Sequence, residues 1–296
     1  MINSRPFGDA RLSVVREYYG PSHPPRSLLP TIDSEVLEAN RHWLDPSFWM
    51  PKVNRFVIAL QTWLLEVDDK VILIDTGVGN NKNRPGFDRL HGLNTQFLNW
   101  LEAAGAPAET VTHVVCTHLH PDHVGWNTSL KNGEWVPTFP NAKYLVPAEC
   151  LAYVKELYRK DPSHGYSMAY WDSIAPVESL GMLETFEDDD IVAGILEAEP
   201  APGHMPGQVS FHFESQGRHA MFCGDTLHHP IQVLKPEWSS SYDTDPDEAR
   251  RTRKAILKLA AGRDALLLPA HFGMPNCGYV RHASSGFAFM PSEWSE

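Results

Sequence analysis

The spacing of apolar residues predicts a series of buried strands that end in polar loops. NRFVIALQTWLLEV (54–67) alternates and is rich in β-formers, DDK supplies a turn, and VILIDTG (71–77) continues as an apolar run, so a hairpin entering a buried strand is expected. GLNTQFLNWLEAAGA (92–106) carries apolar residues at helical spacing with a glycine near its end, and VTHVVCTHLH then reads as another buried strand. Residues 1–50 hold many prolines and little periodicity. Order weakens again between 126 and 190, where WNTSLKNGEWVPTFPNAKYLV predicts a loop with a strand and PAECLAYVKELYRK a helix. Patterning resumes with a strand, loop and strand over 195–213, a strand at HAMFCGDT (219–226), a helix over 245–261 and a strand at ALLLPAHFG (265–273). LIDTG and FCGDT are faintly alike, which is compatible with an internal duplication. A single domain over 1–296 is expected, with an N-terminal extension at 1–50 and an insertion at 126–190, both segments expected to form the rim of a substrate pocket and to offer a contact for a second copy in a homodimer.

Composition narrows the function. A 42% hydrophobic chain of 296 residues has ample material for a core, and a net charge of −12 argues against a nucleic-acid groove, which needs Lys and Arg to neutralise phosphates. The densest basic cluster, RRTRK at 250–254, follows DTDPDEA and reads as a solvated helix face. There is no long apolar run and no basic-then-apolar leader, so neither a membrane span nor a secretory signal is expected, and the cytoplasm is the expected location. Cys116, Cys150, Cys223 and Cys277 lie far apart with no Cys-x-x-Cys pair, which predicts buried reduced thiols.

Chemistry concentrates at the predicted strand ends. THLHPDH (117–123) follows a strand, the edge at which α/β sheets commonly place ligands. Collecting the polar residues at such ends gives His118, His120, Asp122, His123, His204 of PGH, Asp225 of GDT and His271 of PAH. Neutral imidazoles and carboxylates in this number suit a pair of zinc ions with an anionic bridge.

The ordered set DTG (75–77), THLHPDH, PGH (202–204), GDT (224–226) and PAH (269–271) resembles the metallo-β-lactamase-fold hydrolases, with the resemblance running from about residue 55 to 273. It implies an α/β fold of the αββα sandwich type with a two-metal site. His118, His120 and His204 would hold one zinc ion, Asp122, His123 and His271 the other, Asp225 would bridge them, and Asp75 would orient ligands; other divalent metals remain open. His120 is not the glutamate of the di-iron flavoproteins of this fold, and Asp225 replaces the cysteine of the commonest zinc β-lactamases. The short stretch after His271 leaves no room for the glutathione-binding helical domain of glyoxalase II relatives, and no basic arm suggests a transfer-RNA nuclease. The resemblance therefore points to the lactonase and organophosphate hydrolase branch.

What it implies is a di-zinc hydrolase that opens a lactone or ester, acyl-homoserine lactones among them, through a hydroxide bridging the metals, with Asp122 relaying a proton to the leaving alkoxide. The expected partner is a small apolar lactone or ester. Organophosphate or aryl ester hydrolysis is the alternative, followed by a mono-iron persulfide dioxygenase and by a metal-binding protein without turnover. His228 and His229 read as supporting or surface residues. Trp126, Trp135, Phe139, Tyr144, Tyr153, Tyr166, Tyr170 and Trp171 are candidates for an apolar pocket wall or for core.

Overall fold

The computed structural model describes residues 2–284 and 286–294. The chain forms two compact units, one of the residues up to 17 together with 60–198, the other of 18–59 together with 199 onward.

The first sheet runs in the order Ile2–Phe7, Ala10–Pro21, Arg55–Val67, Lys70–Ile74, His113–Val115, Lys143–Pro147, Leu183–Phe186, with the short Trp49–Met50 beside Arg55–Val67. The expected hairpin is present: Arg55–Val67 pairs antiparallel with Lys70–Ile74 around a turn in which Asp68 takes φ +51°. From Lys70–Ile74 onward the strands are parallel. Their apolar runs are buried, Ile72, Leu73, Ile74, Val114 and Val115 being fully inaccessible. The expected helix after residue 92 is shorter than its pattern, Phe97–Ala103.

The second sheet has the order Ile191–Val192, Leu196–Pro200, Val209–Ser215, Arg218–Gly224, Leu266–Pro269, Gly278–Ala283, Gly286–Pro291. Helix Pro246–Gly262 matches the expected 245–261. Asp245 caps it by accepting from the backbone N–H groups of Asp247 and Glu248, Pro246 opens it, and the acidic first turn complements its dipole. The helix buries Ile256, Leu257 and Ala260 in a core shared with Leu28, Phe48, Phe56, Met221 and Leu267.

Three readings need correction. Residues 1–50 are more regular than their sequence suggests: Ile2–Phe7 and Ala10–Pro21 form an antiparallel hairpin. Its alternation is hidden because the charged residues Arg16 and Glu17 are buried next to Val14 and Val15. Residues 126–190 likewise hold a hairpin of Thr128–Lys131 with Glu134–Pro137 and several helices besides the expected one, Ala148–Lys160. Within RRTRK, Arg253 is fully buried and not part of a solvated face. The cysteines are free and buried as expected. Among the described residues no helix is long and apolar enough to cross a membrane.

Candidate metal centre

Both sheets deliver their polar residues by the same device, a parallel strand pair whose C-terminal ends coincide. In the first unit Ile74 pairs with Val115, so Asp75 and Thr117 leave the sheet together. Asp75 accepts hydrogen bonds from the Thr117 backbone N–H (2.8 Å), the Thr117 hydroxyl (2.9 Å) and His123 Nδ1 (2.9 Å). The motif folds back on itself, with the His123 N–H donating to the His120 carbonyl at 3.0 Å. A carboxylate only accepts, so His123 carries its proton on Nδ1 and presents Nε2 as a lone-pair donor. The Thr117 hydroxyl, donating to Asp75, can accept from His118 Nδ1 at 3.1 Å and leaves His118 Nε2 as the donor atom. His118 Nε2 lies 3.1 Å from His120 Nδ1. Asp122 is half-buried, its Oδ1 3.8 Å from His123 Nε2.

In the second unit Met221 and Gly224 pair with Leu267 and Pro269, so Asp225 and His271 emerge side by side. His204 arrives on the PGH loop, where Gly203 takes φ +119° and a Cβ would sit 2.2 Å from the Ala249 nitrogen. Three buried histidines surround the Asp225 carboxylate. Oδ2 is 3.2 Å from His204 Nε2 and 3.3 Å from His228 Nε2, while Oδ1 is 3.0 Å from His271 Nε2. His271 Nδ1 donates to the Ala59 carbonyl at 3.0 Å, and His204 Nδ1 to Asp243 at 3.1 Å. Asp243 is itself held by Arg253 at 3.2 Å, which also binds the Thr226 carbonyl at 2.8 Å.

These arrangements suit a divalent cation. The ring proton of His271 is committed to Ala59, so at 3.0 Å its Nε2 lone pair faces a carboxylate lone pair unless a cation or a proton stands between them. Two ligands at about 2.0–2.1 Å from one zinc ion and roughly 90–110° apart are separated by about 2.9–3.4 Å. The pairs His118–His120, His204–Asp225 and Asp225–His271 all fall in that interval. Without a cation a proton serves instead: burial disfavours charge on His204, but Asp225 and Asp243 outweigh it and push the imidazole up to about 9.

Of the expected ligands, His118, His120 and His123 are buried side by side in one motif, Asp122 is half-buried beside His123, and His204 and His271 flank the Asp225 carboxylate. His228 is not a surface residue; it is buried, touches Asp225, and burial lowers its pKa. His204, His228 and Asp243 also bring ligand atoms within 4.8 Å of one another. His229 is structural, bonded to the Phe48 carbonyl at 2.9 Å and stacked on Phe56, and burial pulls it down to about 3. Among the aromatics, Trp126 stacks on Phe97 and donates to Glu17, and Tyr144 bonds to the Asn127 carbonyl, so both are core. Tyr166 instead stacks on His120. Asp243 and Arg253 were not anticipated; they sit in a loop and a helix whose patterns carry no ligand signature.

The chain is similar to known proteins over most of its length. The profile of the Metallo-beta-lactamase superfamily matches residues 60–271. A probable metallo-hydrolase of Mycobacterium bovis is 29% identical over 248 residues, which are 74% of this chain and 77% of that protein. The crystal structure of hydrolase AbOPH in the beta lactamase superfamily superimposes with a TM-score of 0.82 at 22% identity, covering 100% of this chain and 98% of the other. AidC, a dizinc quorum-quenching lactonase in complex with a product, N-hexanoyl-L-homoserine, gives 0.80 at 23% identity, with 100% and 98% coverage. The expected α/β fold of the metallo-β-lactamase type is thereby met.

Proposed function

We propose a substrate class for this chain from the premise that it belongs to the metallo-beta-lactamase superfamily and is a metal-dependent hydrolase: it opens lactones or carboxylic esters of apolar acyl or aryl compounds, using two divalent ions, zinc foremost. The observation that carries the two-ion reading is the Asp225 carboxylate, whose oxygens face different histidines, Oδ2 to His204 and Oδ1 to His271. A carboxylate so flanked can serve two cations at once. The proposed ligand set is the one the motifs imply, His118, His120 and His204 for one ion, Asp122, His123 and His271 for the other, with Asp225 common to both. The lactone reading draws support from AidC, described as a dizinc lactonase.

When bound, such ions supply Lewis acidity and bring the pKa of a coordinated water to about 7. The chain's own residues do the rest. Asp75 and Asp243 fix the rings of His123 and His204, and Arg253 fixes Asp243, so donor atoms are set before the ions arrive. Asp122, half-buried and therefore reached by water, is the group that can hold a proton for the departing alkoxide. A panel of N-acyl-homoserine lactones, simple γ-lactones, aryl esters and a phosphotriester, run on zinc-loaded protein, tests the substrate class. Turnover of lactones above the other classes is expected; turnover of the phosphotriester alone would overturn the lactone reading.

A further inference from the structure

We infer that Tyr166 is a positioning residue for His120, held in place by Phe87 and by a buried Arg84–Asp172 ion pair. The inference rests on the reading of His120 as a metal ligand. His123, His204 and His271 are each held at Nδ1 by an oxygen of Asp75, Asp243 or Ala59. His120 is held across its ring: the Tyr166 ring lies nearly parallel to it, with centroids 4.6 Å apart and planes at 22°. Phe87 also stacks on Tyr166, at 4.9 Å and 20°, so the Tyr166 ring lies nearly parallel to both Phe87 and His120 and in contact with each.

The surroundings are built to hold these stacked rings together. Gly165 lets the helix Gly165–Ala169 approach the loop beneath it; a Cβ there would lie 2.6 Å from a Phe87 ring carbon and 2.9 Å from the Pro85 carbonyl oxygen. The helix then opens into a π-helical turn, Tyr170–Ile174, which carries Asp172. Asp172 takes two hydrogen bonds from Arg84, at 2.6 and 2.9 Å, and both side chains are buried. Lys82 adds bonds to the Asp172 carbonyl (3.1 Å) and to the Thr128 hydroxyl (2.7 Å). Residues 82–87 and 165–172 are thus joined at both ends of the helical stretch, and Thr128 ties them to the chain just past the metal motif. Tyr166 is only half-buried, so this clamp does more than fill a core.

A ligand imidazole must keep its lone pair on the line to the ion. Rotation about the bond between Cβ and the ring swings that lone pair away, and a flat ring against the imidazole face opposes the rotation. The flat ring matters for this, and the phenol hydroxyl does not.

The test uses Tyr166→Phe, Tyr166→Leu and Tyr166→Ala in the full chain. Zinc affinity is measured by competition with a chromophoric chelator, cobalt-loaded protein by visible absorption, and turnover of 4-nitrophenyl acetate and an N-acyl-homoserine lactone by kcat and KM separately. Tyr166→Phe should match the wild type throughout. Tyr166→Leu and Tyr166→Ala should bind zinc about 3- to 10-fold more weakly, shift the cobalt spectrum, and lower kcat while KM holds. If the alanine variant fails to fold, the leucine variant decides. A leucine variant with wild-type zinc affinity and cobalt spectrum would overturn the inference, and so would a rise in KM alone, which marks a substrate wall. Wild-type protein that takes up no zinc would overturn the reading of His120 and the inference with it.

Discussion

Replacing Asp225 with asparagine separates the site's chemistry from its folding. The side chain keeps its shape and loses its charge. In the protein as it stands, Oδ1 faces His271 Nε2 at 3.0 Å and Oδ2 faces His204 and His228 at 3.2 and 3.3 Å. An amide has one oxygen and one NH2. If the NH2 points to His271, it donates to a nitrogen whose ring proton is already committed to Ala59, and the metal-free fold gains a hydrogen bond. The same NH2 cannot ligate a cation, so one of the two ligand directions is lost whichever way the amide turns. Losing one charge-stabilising element typically lowers a rate by about 10²- to 10³-fold, and loss of an ion lowers it further. The chelator-treated variant should melt within a few degrees of chelator-treated wild type, because a near-isosteric surrogate keeps the packing. Zinc-loaded samples should differ by at least about 10²-fold in ester or lactone hydrolysis, and the variant should retain less zinc. A zinc-loaded variant with wild-type rate and wild-type zinc content would remove Asp225 from the site.

Two further outcomes follow from buried groups. Burial pulls Lys82 down to about 7, against about 10.4 for the unfolded chain, so between those values the unfolded state binds more protons and stability rises with pH. The cost of burying the charged amine is full below about pH 7 and is lifted toward about pH 10; the Tm of wild type minus that of Lys82→Met should therefore increase between about pH 6.5 and about pH 9, and a flat difference would show that Lys82 does not titrate this way. Gly203→Ala forces a side chain onto φ +119° and to 2.2 Å from the Ala249 nitrogen, so urea melts should report a loss of at least about 1–3 kcal/mol; a variant as stable as wild type would mean the PGH loop is free to shift.

The metal motif was legible because metal chemistry restricts residue type. Only a few side chains can ligate, so THLHPDH, PGH, GDT and PAH stand out against an acidic chain, and the apolar runs before them place them at strand ends. The residues that hold the ligands were not legible in the same way. Asp75 came with a motif; Asp243 lies 39 positions from His204, and many side chains can accept one proton from an imidazole. Arg253 sits in a run whose charged members Arg251 and Lys254 are exposed, and only the fold shows that its face of the helix turns inward. Tyr166 was one aromatic among eight, distinguished by its stack on His120 and by no feature of its sequence. The N-terminal hairpin was hidden for a related reason: Glu17 is buried but satisfied by Val78 N–H at 2.6 Å and Trp126 Nε1 at 2.8 Å, so a charged residue stands where the pattern calls for an apolar one.

We propose that this chain holds two divalent ions, with His118, His120, Asp122, His123, His204, Asp225 and His271 as their ligands. Protein stripped with a chelator, reloaded with zinc, desalted and measured for zinc per chain tests it most directly, with His271→Ala in parallel. The account predicts two ions for the wild type and one tightly held ion for the variant. One ion per wild-type chain, with His271→Ala unchanged, would contradict it.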